Sequence, residues 1–156
     1  MKIKIIALGK IKEKFLKDGI DEFKKRLMPY TPLEILELNP VQIYDDNMVN
    51  KALDEEAEKI LDKVNEDAYL VTLEISGKQL SSEELAVKID EIIKSGCQEL
   101  VFVIGSSHGI SSKVSQRANF KLSMSKMTFL HQFARLILIE QIYRSFKILN
   151  GEKYHK

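Results

Sequence analysis

The residues with the most chemical potential lie in the last third of the chain. An apolar run, Leu100 to Ile104, leads into Gly105-Ser106-Ser107-His108-Gly109; a second, Phe120 to Met124, leads through Ser125-Lys126-Met127-Thr128-Phe129 to His131. A strand that stops at Gly105 lets backbone amides approach a ligand, and Gly109 supplies a second permissive position. Ligands of open α/β sheets gather at such strand ends. A plain strand-to-loop turn would use the same two glycines. His131 and Arg135 stand four residues apart at the start of the last helical stretch, on one face, which suits an anion or polar substrate. The helix macrodipole disfavours imidazolium there, leaving a neutral ring to accept or donate a hydrogen bond. The same pair also fits a local role, His131 packing and Arg135 pairing with an acid. The polar tail, Gly151 to Lys156, carries Tyr154 and His155 and has the composition of a frayed end.

Other chemistries find no support. The three histidines sit in no HExxH pattern, there is no GxSxG, and Cys97 is the only cysteine, so metal and hydrolytic constellations are not expected. Neither GxGxxG nor GxxxxGK[ST] occurs, which argues against a pyrophosphate cradle. A net charge of +1 means that any basic footprint for nucleic acid must be local or created by symmetry in an oligomer. A lone thiol reads as cytosolic, with Cys97 packed beside Gly96. Lysines 2, 4 and 10 break the apolar amino terminus, which reads as a strand and not a signal peptide. The apolar span Phe133 to Leu149 contains Arg135, Glu140, Arg144 and Lys147; at roughly 2.5 to 3.5 kcal/mol for a charge near a helix centre, membrane insertion is not expected.

At 156 residues, 44% apolar and 30% charged, the chain has the balance of one globular domain spanning 1–156. Lys2 to Leu8 predicts a strand. Phe15, Leu16, Ile20, Phe23 and Leu27 give a helix ended by Pro29 and Pro32, with Gly19 costing about 1 kcal/mol against alanine. A strand at Leu33 to Leu38 and a polar loop through Pro40 to Asn47 follow. The periodicity predicts a helix over Met48 to Val64, its apolar stripe Leu53, Ala57, Ile60, Leu61 and Val64, its charged face solvated. Tyr69 to Leu73 is a buried strand, closed by Glu74, Ile75, Ser76 and the turn pair Gly77-Lys78. Ser81 with Glu84 forms a capping box that opens a helix ending at Gly96. Ser111 or Ser112 caps a short helix through Arg117, and the final helix runs from His131 to Asn150. The order predicts a single α/β domain with a mainly parallel sheet. Apolar residues wrap most of the final helix, which calls for a second covering surface; the same helix of another subunit would supply it in a two-fold homodimer. Burial wholly within one chain is the alternative.

Taken together, KIKIIALGKIKE, LVTLEISGKQLSSEELA, FVIGSSHGI and LSMSKMTFLHQFARLILIEQIYRSFKILNGEKYHK resemble the ribosomal RNA large-subunit methyltransferase H family of the SPOUT, or α/β-knot, class over nearly the whole length. The resemblance implies a carboxy-terminal trefoil knot and transfer of a methyl group from S-adenosylmethionine to N3 of a pseudouridine in large-subunit ribosomal RNA. It also implies a homodimer acting on assembled ribosomes. A cofactor-binding, ribosome-associated module of the same fold with little catalysis is the alternative. Carried over by position, Leu73, Gly105, Met124, Ser125, Lys126, Met127, Thr128 and Phe129 would contact the cofactor. Arg135, His131, Tyr154 and His155 would hold the nucleotide or favour its deprotonated form, the tail reaching the partner subunit's site. Loops of small and apolar residues suit an adenine bracketed by side chains and read by backbone groups. The chain departs from the family at Ser106 and His108, where a second glycine and an Asn or Asp are common, and at Leu130, where a proline is usual. The serine would narrow the cofactor loop and the leucine would loosen the approach to the last helix.

Overall fold

A computed structural model describes residues 1–154; His155 and Lys156 lie outside the described residues. Five strands alternate with five helices: β1 (Lys2–Leu8), α1 (Lys14–Leu27), β2 (Leu33–Leu38), α2 (Val49–Leu61), β3 (Tyr69–Gln79), α3 (Ser82–Lys94), β4 (Glu99–Ile104), α4 (Ser112–Arg117), β5 (Phe120–Ser123) and α5 (His131–Leu149). The sheet order is β2-β1-β4-β3-β5, and every pairing is parallel. Parallel strands need crossovers that cover both faces, and period-two alternation sends side chains both ways. Ile3, Ile5, Leu100, Phe102 and Ile104 join the core beneath α1, α3 and α5. Ile6, Leu8, Val101 and Val103 join the core beneath α2.

Local signals set several boundaries. Ser81 Oγ accepts from Glu84 N at 3.1 Å while Glu84 Oε2 accepts from Ser81 N at 2.7 Å, the expected capping box at the start of α3. Ser111 caps α4.

Three expectations need revision. First, β3 does not stop at Leu73. It runs to Gln79, with pairing to β5 interrupted between Leu73 and Lys78. A Cβ on Gly77 would meet the Lys121 backbone at 2.7 Å, so this glycine permits close strand approach and does not make a turn. Second, α2 begins at Val49 after a 3-10 turn, Asp46–Met48, and ends at Leu61. Its buried residues are Ala52, Glu56, Ala57 and Ile60, so the charged face is not wholly solvated. Third, much of α5's cover comes from its own chain, since α5 packs against both α1 and α3. Ala134, Leu138, Ile139, Ile142, Tyr143 and Phe146 are buried there. A Cβ on Gly19 would lie 3.1 Å from Leu136 Cδ1, so the glycine read as a helix weakness is where α1 and α5 close together. Phe133 and Leu149 stay 40% and 37% exposed. Among the described residues no helix is long and apolar enough to cross a membrane.

Candidate functional site

The strand register aligns the ends of β1, β4 and β3: Ala7 lies opposite Ile104, and Thr72 opposite Val103. The interrupted stretch of β3 and the segments that follow β4 and β5 therefore converge at the carboxyl edge of the sheet, the side where open α/β sheets bind ligands. Gly105 begins the β4 loop. A Cβ there would fall 2.3 Å from the Gly109 carbonyl oxygen, so the loop closes on itself only with glycine, and Gly109 itself has a φ of +93°. Gly109 N donates to Ser106 O at 2.9 Å and completes the turn. After β5, Ser125 organises the next loop: its Oγ accepts from Met127 N at 3.0 Å, and its carbonyl accepts from Ser123 Oγ at 3.1 Å.

These loops enclose a hollow of about 210 Å³ walled by Leu73, Gly105, Met124, Ser125, Met127, Thr128 and Phe129, together with Ile104, Ile110 and Leu122. Lys126 alone among the expected cofactor contacts stands off the wall, exposed to solvent. The hollow is below the roughly 300 Å³ at which small-molecule sites begin. A second one of about 340 Å³, between α3 and α5, shares the wall residues Leu122, Met124 and Phe129 with it. The surroundings are apolar side chains and backbone groups, and among the residues lining the first hollow only Glu74 is charged. That donor set fits a neutral aromatic base bracketed by hydrocarbon and a ligand carrying positive charge.

The residues expected to hold the acceptor are dispersed. Arg135 is 2% exposed; its Nη1 donates to Glu37 Oε2 and its Nη2 to Gly9 O at 3.0 Å, while Nε has no partner. It thus fastens the end of β2 and the β1 loop to α5 and lines a different hollow, beside Ile20 and Lys24 of α1. The local reading of Arg135, an arginine paired with an acid, matches this geometry. His131 faces the β1 loop, its Nε2 3.9 Å from where a Cβ of Gly9 would stand. Burial first, and then the Arg135 guanidinium, hold its imidazole below the ordinary histidine range. Tyr154 is not frayed: its hydroxyl donates to Glu140 Oε1 at 3.0 Å, its ring meets Tyr143 edge-on, and the Arg144 guanidinium lies 4.6 Å from its centroid. It docks on the middle turns of α5, between Glu140 and Arg144, away from His131. His155 falls outside the described residues.

Two residues on α2 gave no sequence signal. Glu56, 3% exposed, accepts from Ser106 Oγ at 3.0 Å and from Val41 N at 2.9 Å, and Asp54 accepts from Ser111 Oγ at 3.0 Å. They hold both ends of the loop that follows β4. The Ser106 hydroxyl bonds across to α2. Only a map of which helix lies behind that loop could have distinguished these carboxylates from a solvated face.

A parallel sheet with a small, mostly neutral pocket at its carboxyl edge defines an α/β protein of the class that takes ligands at its strand ends. A family model described as "Predicted SPOUT methyltransferase" matches residues 1–155, and the chain belongs to that family, whose members draw their methyl group from S-adenosylmethionine. Relatives align over the full length of both partners. The "Putative ribosomal RNA large subunit methyltransferase H" of Methanococcus vannielii is 55% identical, and the "Ribosomal RNA large subunit methyltransferase H" of Clostridioides difficile is 50% identical. Among the described residues no group of histidine, cysteine, aspartate and glutamate could hold a metal ion.

Proposed function

We propose that this protein methylates N3 of a pseudouridine in large-subunit ribosomal RNA, with S-adenosylmethionine as donor, acting in the cytoplasm as a homodimer on assembled ribosomes. One observation carries the reading: the strand-end hollow is walled by seven of the eight positions that the resemblance assigns to the cofactor, in a chain whose full-length relatives are named as large-subunit ribosomal RNA methyltransferases. Exposed Phe133 and Leu149 on α5 support a dimer face. The passage from β5 at the sheet edge through residues 124–130 to α5 beneath the sheet is where the trefoil knot would be threaded.

The bound donor supplies an electrophilic methyl group on a sulfonium. Leu73, Gly105, Met124, Ser125, Met127, Thr128 and Phe129 would hold it, while this chain's remaining task is to place the acceptor nitrogen in line and favour loss of its proton. His131, kept neutral, is suited to accept a hydrogen bond or proton at a ring nitrogen. Arg135 acts through position, keeping His131 and the β1 loop in register. Tyr154 and His155 are assigned to the partner subunit's site, with Tyr154 docking the tail on α5.

Radiolabelled methyl transfer to ribosomes lacking the modification tests the reading. Incorporation at a single pseudouridine is expected. Donor binding without incorporation would instead favour a ribosome-associated module of this fold. Removing residues 154–156 should spare donor affinity and reduce methylation; unchanged turnover would return the tail to a structural role.

A further inference from the structure

Glu74 sits in the interrupted stretch of β3, between Leu73 and Lys78, where pairing to β5 lapses and the backbone is free to turn side chains toward the hollow. It is partly buried and is the one charged residue in the lining of the first hollow. Three hydroxyl contacts fix it: Thr72 Oγ1 donates to Oε2 at 2.6 Å, and Ser115 Oγ lies 3.0 Å from each oxygen. All these donors are neutral. No lysine, arginine or histidine among the described residues forms a salt bridge with it. A carboxylate drawn out of water costs free energy unless a cation answers it, and hydroxyls orient its charge without cancelling it.

We infer that Glu74 is the counter-charge for the cationic part of the cofactor and so sets the preference for a positively charged nucleoside over a neutral one of the same shape. The inference rests on the cofactor reading above. Two groups of the donor carry positive charge, the sulfonium and the α-ammonium, and both would answer the carboxylate. Neighbouring Leu73 and Ile104 provide an apolar wall in which the attraction is screened less than in water.

Titration calorimetry with three ligands on the intact protein and on Glu74→Gln tests this. S-adenosylmethionine carries both cations, S-adenosylhomocysteine only the ammonium, and 5′-methylthioadenosine neither. The glutamine keeps the shape and an acceptor for Thr72 and Ser115 while removing the charge. Kd for S-adenosylmethionine should rise about tenfold and Kd for methylthioadenosine by less than twofold. A tenfold rise for S-adenosylhomocysteine as well assigns the contact to the ammonium; an unmoved value assigns it to the sulfonium. Equal losses for all three ligands, or none, would overturn the inference and leave Glu74 a strut for β3 and α4. If the unaltered protein bound none of the three, the cofactor reading itself would fail, a separate result.

Discussion

The amino edge of the sheet and the hollow at its carboxyl edge are held together in different ways. At the amino edge, Lys4 pairs with Glu99 at 2.9 Å and donates to Lys63 O, Asn65 Nδ2 donates to Glu99 Oε2 at 2.8 Å, and Arg117 Nη2 reaches the carbonyls of Asn65, Glu66 and Ala68. Charge there meets charge, and the strand starts of β1, β3 and β4 are tied to the end of α2. At the carboxyl edge the Arg135–Glu37 pair serves only the β1 and β2 side; around the hollow, Glu74 and Glu56 accept from neutral donors, and Met127, Phe129 and Leu130 are exposed at 73%, 38% and 53%. The amino edge answers its charges with charges of the chain; the hollow at the carboxyl edge leaves the Glu74 carboxylate without a cationic partner among the described residues. Stability and binding are thus assigned to separate ends of the same strands.

This division can be tested from the largest expected effect downward. Glu99→Ala strands Lys4 in a buried setting and should cost about 3 to 5 kcal/mol in urea unfolding, without changing donor affinity in the folded fraction. A loss of affinity would mean that the edges communicate. Gly105→Ala should do the reverse. Its Cβ collides with the Gly109 carbonyl, so the thermal stabilisation by donor at 100 times Kd, about 2.7 kcal/mol, should vanish, while the melting point without donor falls much less than in Glu99→Ala. The added methyl group acts by displacing the loop itself.

Ser81→Ala removes the capping box, a structural device on the binding side, and should cost about 1 kcal/mol by denaturant midpoint. A cost equal to that of Glu99→Ala would erase the contrast. The smallest effect is the pH dependence from His131. Its folded-state pKa is lowered, so the unfolded chain takes up the proton first. The contribution is complete above the ordinary imidazole value and declines as pH falls through it. Replacing His131 by Gln should flatten the melting-temperature profile between about pH 7 and 5.

The elements were legible wherever the signal was local. The Ser81-Glu84 pair, the apolar run of β4 and the stop at Gly105 need only neighbouring residues to be read. Most of the hollow was legible too, partly from strand ends and, residue by residue, from the family resemblance. What escaped depends on contacts distant in sequence. Glu56 meets Ser106, Glu37 meets Arg135, and Tyr154 meets Tyr143 and Glu140 only after the helices pack. Gly77 and Gly19 were misjudged for the same reason: each was read as backbone freedom or helix cost, whereas each makes room for β5 or for Leu136.

The parallel order carries a cost during synthesis. β1 is complete within the first residues made, yet its partner β4 begins only at Glu99, and the α5 that covers both arrives later still. Until then Ile3, Ile5 and Ile6 have β2 alone to pair with, so a ribosome making this chain holds a sticky, unfinished edge for most of elongation. Released chains ending before α5 and the full-length chain should differ sharply in protease resistance, and in the time they spend with holding chaperones.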